Sequence, residues 1–205
     1  NYSYCGGVLA TNGDIHFIPS PQPTTPLGQK ISAAGVVSTY TLVYSNGGPY
    51  YGGVLAPNGD IHFVPGGAAV GQKISSAGVV STYSLAYSAG VYIGGVVSPN
   101  GEIHFAPNTA TVGQKISIAG VVSTYSLVYT SVSGAYAGAV LAPNGDIHFV
   151  PQYATVGQKI SATGVVSTYS LAYTTSSAYY GGILAANGDI HVVNSGAARG
   201  QKIST

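Results

Sequence analysis

The sequence predicts an all-β fold, a five-bladed β-propeller of four-stranded antiparallel blades, from three observations. The first is a period. His residues stand at 16, 62, 104, 148 and 191, Lys residues at 30, 73, 115, 159 and 202, and acids at 14, 60, 102, 146 and 189. Arg199 apart, every charged residue occupies one of two positions in a unit of 42 to 46 residues. The second is composition: Glu, Arg, Met and Gln are scarce, whereas thirty Gly and seventeen Tyr suit tight turns and strands. The third is that each unit divides into four short strand-like runs. Four-stranded units of about forty residues, repeated five times, match the radial repetition of a propeller. A β-trefoil needs only three units, and a parallel solenoid uses shorter coils. One domain, 1–205, follows, with blades at about 1–44, 45–87, 88–129, 130–173 and 174–205.

Each run has its own warrant. In the second unit the first is "YGGVLA" (51–56), which ends at the turn "PNG", with Pro57 and Gly59 placed for a type I turn closed by a left-handed residue. The second is "DIHFV" (60–64), in which Ile61 and Phe63 alternate with His62. A variable loop leads to "GQKIS" (71–75), and a Gly turn to "VVSTYSLAY" (79–87), rich in β-branched and aromatic residues. The first run should lie innermost and the fourth outermost. "VVSTY" occurs only at 36–40, 79–83, 121–125 and 165–169, so the last blade should lack its outer strand within this chain. The expectation is that upstream residues or a neighbouring chain supply that strand and shield the edge.

Charged residues are only 5% of the chain and net charge is +1, which excludes nucleic-acid binding and electrostatic steering. No apolar run approaches the ~18 residues of a spanning helix, so membrane insertion is not expected. A single cysteine, Cys5, rules out an intrachain disulfide and a thiolate metal site. Met is absent even at position 1, which predicts a processed chain or a piece of a longer one.

"GGVLAPNGDIHFVP" (52–65) resembles the "GVLAPNG-x-I-x-x-[IV]P" repeats of predicted β-propeller proteins in bacteria, microbial eukaryotes and their viruses, phages included. The resemblance covers all five units. Units one and five depart from it, with Thr11 and Ala186 for the turn Pro and Asn194 for the closing Pro. It implies a propeller with a surface or virion-associated role, and it carries over no catalytic residue.

The recurring acid–x–His pairs are Asp14 and His16, Asp60 and His62, Glu102 and His104, Asp146 and His148, and Asp189 and His191. Catalysis needs an acid and a base in unlike environments, and here every pair has four symmetric equivalents. A shared metal is not expected either, since imidazoles one strand out from the axis are too far apart to converge near 2 Å. The pairs are therefore read as structural, with each His buried between blades and hydrogen-bonded to Ser, Tyr or Asp of its own unit. No cofactor, metal or catalytic residue is assigned.

The turns after the first and third runs are nearly uniform among the units, whereas the loops after the second and fourth vary. In a meander those variable loops share one side of the disc, and loops on a rigid scaffold are where recognition lives. Tyr4, Tyr50, Tyr92, Tyr136 and Tyr179 hold one constant position and read as packing residues. The next position varies through Cys5, Tyr51, Ile93, Ala137 and Tyr180. Tyr51, Tyr180, Tyr153 and Arg199 are the expected ligand contacts, on the enrichment of Tyr and Arg at hot spots. The function expected is a non-catalytic recognition or display module for a glycan or surface receptor, on a virion fibre or another extracellular surface. The alternative is a structural unit that self-assembles in a virion or another homo-oligomer without a small ligand.

Overall fold

The computed structural model describes residues 4–20, 27–45, 48–131 and 133–205, which hold nineteen strands and no helix. Blade 1 is β1 (Tyr4–Leu9), β2 (Ile15–Pro19), β3 (Leu27–Ile31) and β4 (Val37–Thr41). Blade 2 is β5 (Tyr50–Leu55), β6 (Ile61–Pro65), β7 (Val70–Ile74) and β8 (Val80–Ser84). Blade 3 is β9 (Tyr92–Val97), β10 (Ile103–Pro107), β11 (Val112–Ile116) and β12 (Val122–Ser126). Blade 4 is β13 (Tyr136–Leu141), β14 (Ile147–Pro151), β15 (Val156–Ile160) and β16 (Val166–Ser170). Blade 5 is β17 (Tyr179–Leu184), β18 (Ile190–Asn194) and β19 (Gln201–Ile203), with no fourth strand. Most of the first second-to-third loop, 19–27, two residues of the fourth-to-first loop at 45–51 and one of that at 130–137 lie outside the described residues.

Every sheet is an antiparallel meander whose spatial order is its sequence order. The first strands of successive blades run beside one another from β1 through β17, which puts them innermost. The fold is thus a five-bladed propeller, with its last blade three-stranded as the missing "VVSTY" predicts.

The turns follow their sequence. Gly59 N–H donates to Ala56 O at 2.9 Å, Ala56 N–H donates to Asp60 O at 2.8 Å, and Asn58 Oδ1 accepts the Asp60 N–H at 3.0 Å. Between blades, the apolar side chains of one sheet pack on the next. Val54, Ala56 and Val64 of blade 2 form one cluster with Tyr92, Ile103, Phe105 and Ile116 of blade 3. Both faces of a middle strand are covered, so all five residues of β6, β10 and β14 are buried. Each such large apolar side chain contributes ~1.5–3 kcal/mol of burial free energy.

Polar clamps join the blades at their outer ends. Gln72, fully buried in blade 2, accepts the N–H groups of Val43 and Tyr44 where the chain leaves blade 1. Gln114, Gln158 and Gln201 do the same for the connections at Tyr87, Tyr129 and Tyr173. This glutamine carries no signal of its own in the sequence, because "GQK" reads only as part of a strand.

The arc is open on one side. β1 and β17 do not pack side by side as the other neighbouring first strands do. The outward faces of blades 1 and 5 are correspondingly exposed at Leu9, Ile15, Ile183 and Val193.

Candidate functional site

The carboxylate of each acid–x–His pair bonds to a lysine of its own blade. Asp60 Oδ2 accepts a hydrogen bond from Lys73 Nζ at 2.7 Å, and its Oδ1 accepts the Ser76 N–H at 3.1 Å. Asp14 and Asp146 repeat both bonds with Lys30 and Ala33, and with Lys159 and Ala162. Glu102 takes Lys115 on both oxygens at 2.9 Å, and Asp189 takes Lys202 at 2.6 Å. Each acid therefore ties the start of the second strand to the third strand of its own blade. Burial pushes the Asp60 carboxyl up, but Lys73 and the Ser76 N–H outweigh it and hold it below its usual value. For Asp14 and Asp146 the lysine hydrogen bond is the leading cause of the same lowering.

The imidazoles face elsewhere. His62 Nδ1 lies 3.3 Å from Tyr83 Oη and His148 Nδ1 lies 3.1 Å from Tyr169 Oη, with the rings edge to face. His16 and His104 keep the ring contact with Tyr40 and Tyr125, but their Nδ1 atoms have no protein partner. The Tyr83 ring covers Gly71, where a Cβ would sit 2.2 Å from it, so the "GQK" glycine makes the space this tyrosine fills. Burial lowers the pKa of His62 and His104 to about 4, and His16 and His148 are lowered for the same reason. These rings are neutral at pH 7. Only in blade 3, where Glu replaces Asp, does the acid reach toward its His, at 3.7 Å.

His191 departs from the expectation that all five are buried: it is exposed. Blade 5 has no fourth-strand tyrosine and no blade packs behind it. Among the described residues no group of three His, Cys, Asp or Glu could hold a metal ion.

The symmetry is broken at the axis. In every blade the pairing of first and second strands slips by one residue just after the constant tyrosine, for example between Tyr50↔Pro65 and Gly53↔Phe63. This is a β-bulge, which re-aims a side chain and commonly needs a glycine in the left-handed region. Gly52 supplies that conformation with φ +102°, as do its four counterparts. The second glycine of the pair has a different duty. A Cβ on Gly53 would sit 2.8 Å from Ile18 Cδ1 and 2.9 Å from Val8 Cγ2, so its absence lets blades 1 and 2 approach.

The bulge separates two roles that are adjacent in sequence. Tyr50, Tyr92, Tyr136 and Tyr179 are buried, and their hydroxyls donate to the carbonyls of Val70, Val112, Val156 and Arg199 at 2.9–3.2 Å. The next residue, Cys5, Tyr51, Ile93, Ala137 or Tyr180, lines a cavity of about 660 Å³ together with Tyr4 and the bulge glycines. That size lies within the ~300–1,000 Å³ of ordinary ligand pockets. By contrast, the three equivalent crevices between blades, beside His16, His62 and His104, hold only 80–150 Å³.

The cavity wall is apolar apart from tyrosine hydroxyls and the Cys5 thiol. The Tyr51 ring rests on Gly66, where a Cβ would come within 2.4 Å, so its position is braced. Tyr180 is half exposed, and burial of its ring, with Cys5 and Tyr51 nearby, raises its hydroxyl pKa. Of the four expected contacts, the structure brings Tyr51 and Tyr180 together. Tyr153 lies on the loop between β14 and β15, where its hydroxyl accepts a bond from Ser177 Oγ at 2.5 Å. Arg199 is exposed on the loop before β19, and its carbonyl accepts the Tyr179 hydroxyl. Neither lines the cavity. Ile93, Ala137 and Cys5 do, and the signal that marks them is the following positive-φ glycine rather than their residue type.

No protein-family model matches the chain, and no curated protein matches it. Solved structures do. A virginiamycin B lyase from Staphylococcus aureus superposes with a TM-score of 0.80 at 15% identity, over 98% of this chain and 70% of that one. A putative gluconolactonase gives 0.67 at 13%, over 94% and 72%. An auxiliary nutrient binding protein from Bacteroides ovatus gives 0.68 at 14%, over 98% and 56%. At these identities the likeness shows the fold alone, a β-propeller of repeated antiparallel blades.

Proposed function

We propose that the chain is a non-catalytic recognition module whose ligand enters the axial cavity from the side of the variable loops. One observation carries this reading. The single first-strand position that the bulge turns into the cavity runs through Cys, Tyr, Ile, Ala and Tyr, while the tyrosine before it and the glycine after it are constant. The variation thus falls where a side chain enters the cavity, between two positions held constant by packing and by the bulge. The wall suits a ligand with an apolar face and a few hydroxyl partners, such as a glycan ring or an apolar side chain of a surface receptor. Tyrosine offers large amphipathic contact of that kind at low entropy cost. An extracellular or virion surface is the setting in which such a module would meet these ligands.

Catalysis is disfavoured by the partners of the candidate acids and bases. The carboxylates are tied to lysines, the buried imidazoles are neutral, and neither group lines the axial cavity. The test is a glycan array followed by titration of the best ligand. Tyr51→Ala and Tyr180→Ala should each weaken binding about tenfold or more, the effect of a hot-spot residue, with little change in melting temperature. Ligand binding that survives both substitutions, or turnover of the ligand, would overturn the reading.

A further inference from the structure

We propose that the two ends of the arc are one interface divided in two, and that blade 5 of one copy docks head to tail on blade 1 of a second copy. Inside the chain the same interface is made four times. Each blade presents a β-branched or small residue on its first and second strands to the next, as Val54 with Val64 and Val140 with Val150, all no more than 8% exposed. Blade 5 presents the same ridge as Ile183 and Val193, which are 65% and 52% exposed. The receiving face of a blade is a small first-strand residue beside an isoleucine that opens the second strand. That isoleucine is at most 2% exposed at Ile61, Ile103, Ile147 and Ile190, yet Ile15 of blade 1 is 39% exposed. Gly7, on the same face, has only residues of its own blade near it. Gln29 stands where the buried Gln72, Gln114, Gln158 and Gln201 clamp a preceding blade, and it is only partly buried.

The two end faces are therefore complementary by descent from one repeated contact, and the acid and lysine that each blade turns toward the next crevice are paired with each other in blade 5, Lys202 with Asp189 at 2.6 Å. They are not packed together within one chain, since β1 and β17 lack the extensive contact that the other neighbouring first strands make and Ile15, Ile183 and Val193 remain exposed. A second copy is the occupant whose chemistry fits both. Ten blades exceed the roughly four to eight of a planar propeller, so the copies must step along the axis as in a lock washer. Such a heterologous contact does not close on itself and propagates. The inference is independent of what the axial cavity binds.

The test uses two variants of the 205-residue chain, each blocking one end. Ile183→Lys charges the ridge of blade 5. Gly7→Leu fills the receiving face of blade 1, at the position where a Cβ on Gly53 would strike Ile18 and Val8. Light scattering of the unaltered chain at micromolar concentration should show mass rising with concentration above 20.6 kDa. Each variant alone should stay monomeric with an unchanged melting temperature, because both positions are exposed. An equal mixture of the two should give a dimer of one copy of each and nothing larger, since one intact junction remains. Hydrogen exchange at β17 and β18 of the unaltered chain should slow as concentration rises. A monomer at every concentration overturns the proposal, and so does a mixture that remains monomeric while the unaltered chain associates.

Discussion

His62 shows how a residue that looks chemical serves the fold. Its ring is held between Tyr83 and the crevice to blade 3, and burial keeps it neutral. A His with a pKa of about 4 folded and 6.5 unfolded binds fewer protons than the unfolded chain between those values. Its contribution is fully present above pH 6.5 and is lost as pH falls through about 4. For His62 and His104 that contribution is on the order of 2–3 kcal/mol each. The melting temperature should therefore decline from pH 6.5 to 4, and His62→Gln should flatten part of that decline. The carboxylates, held low by their lysines, add a second loss at more acidic pH. Tyr83→Phe should cost only about 1 kcal/mol, the worth of one hydrogen bond, because the ring still covers Gly71. Tyr83→Ala should cost about 3–5 kcal/mol, because it also opens a cavity. Urea denaturation of the two variants separates the hydroxyl from the ring.

At the scale of the element, the first strand does two jobs through its two glycines. Gly52→Ala places a Cβ where φ is +102°, and should cost about 1–2 kcal/mol. It should also loosen the bulge and weaken ligand binding more than it lowers stability, which titration and thermal melts together would show. Gly53→Leu should be far more damaging, because the new side chain must separate blades 1 and 2. Gly7→Leu, the same change in blade 1, should leave the melting temperature of the monomer nearly untouched. The motif "YxGG" was legible as strand plus glycines, and its β-periodicity gave no reason to suspect a bulge. That register slip is fixed by pairing with the second strand, a non-local fact.

For the whole molecule, stability is that of a chain of near-identical interfaces, so local opening should follow position in the arc. Blades 2, 3 and 4 have a neighbour on both sides, whereas blades 1 and 5 have one. Hydrogen exchange of dilute protein should show β9, β10 and β13 most protected and β18 and β19 least. Equal protection in all five blades would mean that the ring closes on itself.

The amino-acid sequence by itself determined the number of blades, the order and direction of their strands, the places of the turns and the missing outer strand of blade 5. These depend on local pattern, namely period-two alternation, turn residues, and a unit repeated five times. Only the tertiary structure decided what the acid–x–His residues touch. Asp60 and Lys73 could be paired by charge, but the turn of His62 toward Tyr83 depends on how the second and fourth strands flank the third. Likewise Tyr51 and Tyr180 lie 129 positions apart in sequence and meet only because five blades bend around one axis. Tyr153 and Arg199 had the same credentials in sequence, yet neither lines that cavity. His191 follows an acid and an Ile, as its counterparts do, and is exposed because burial belongs to the blade behind it.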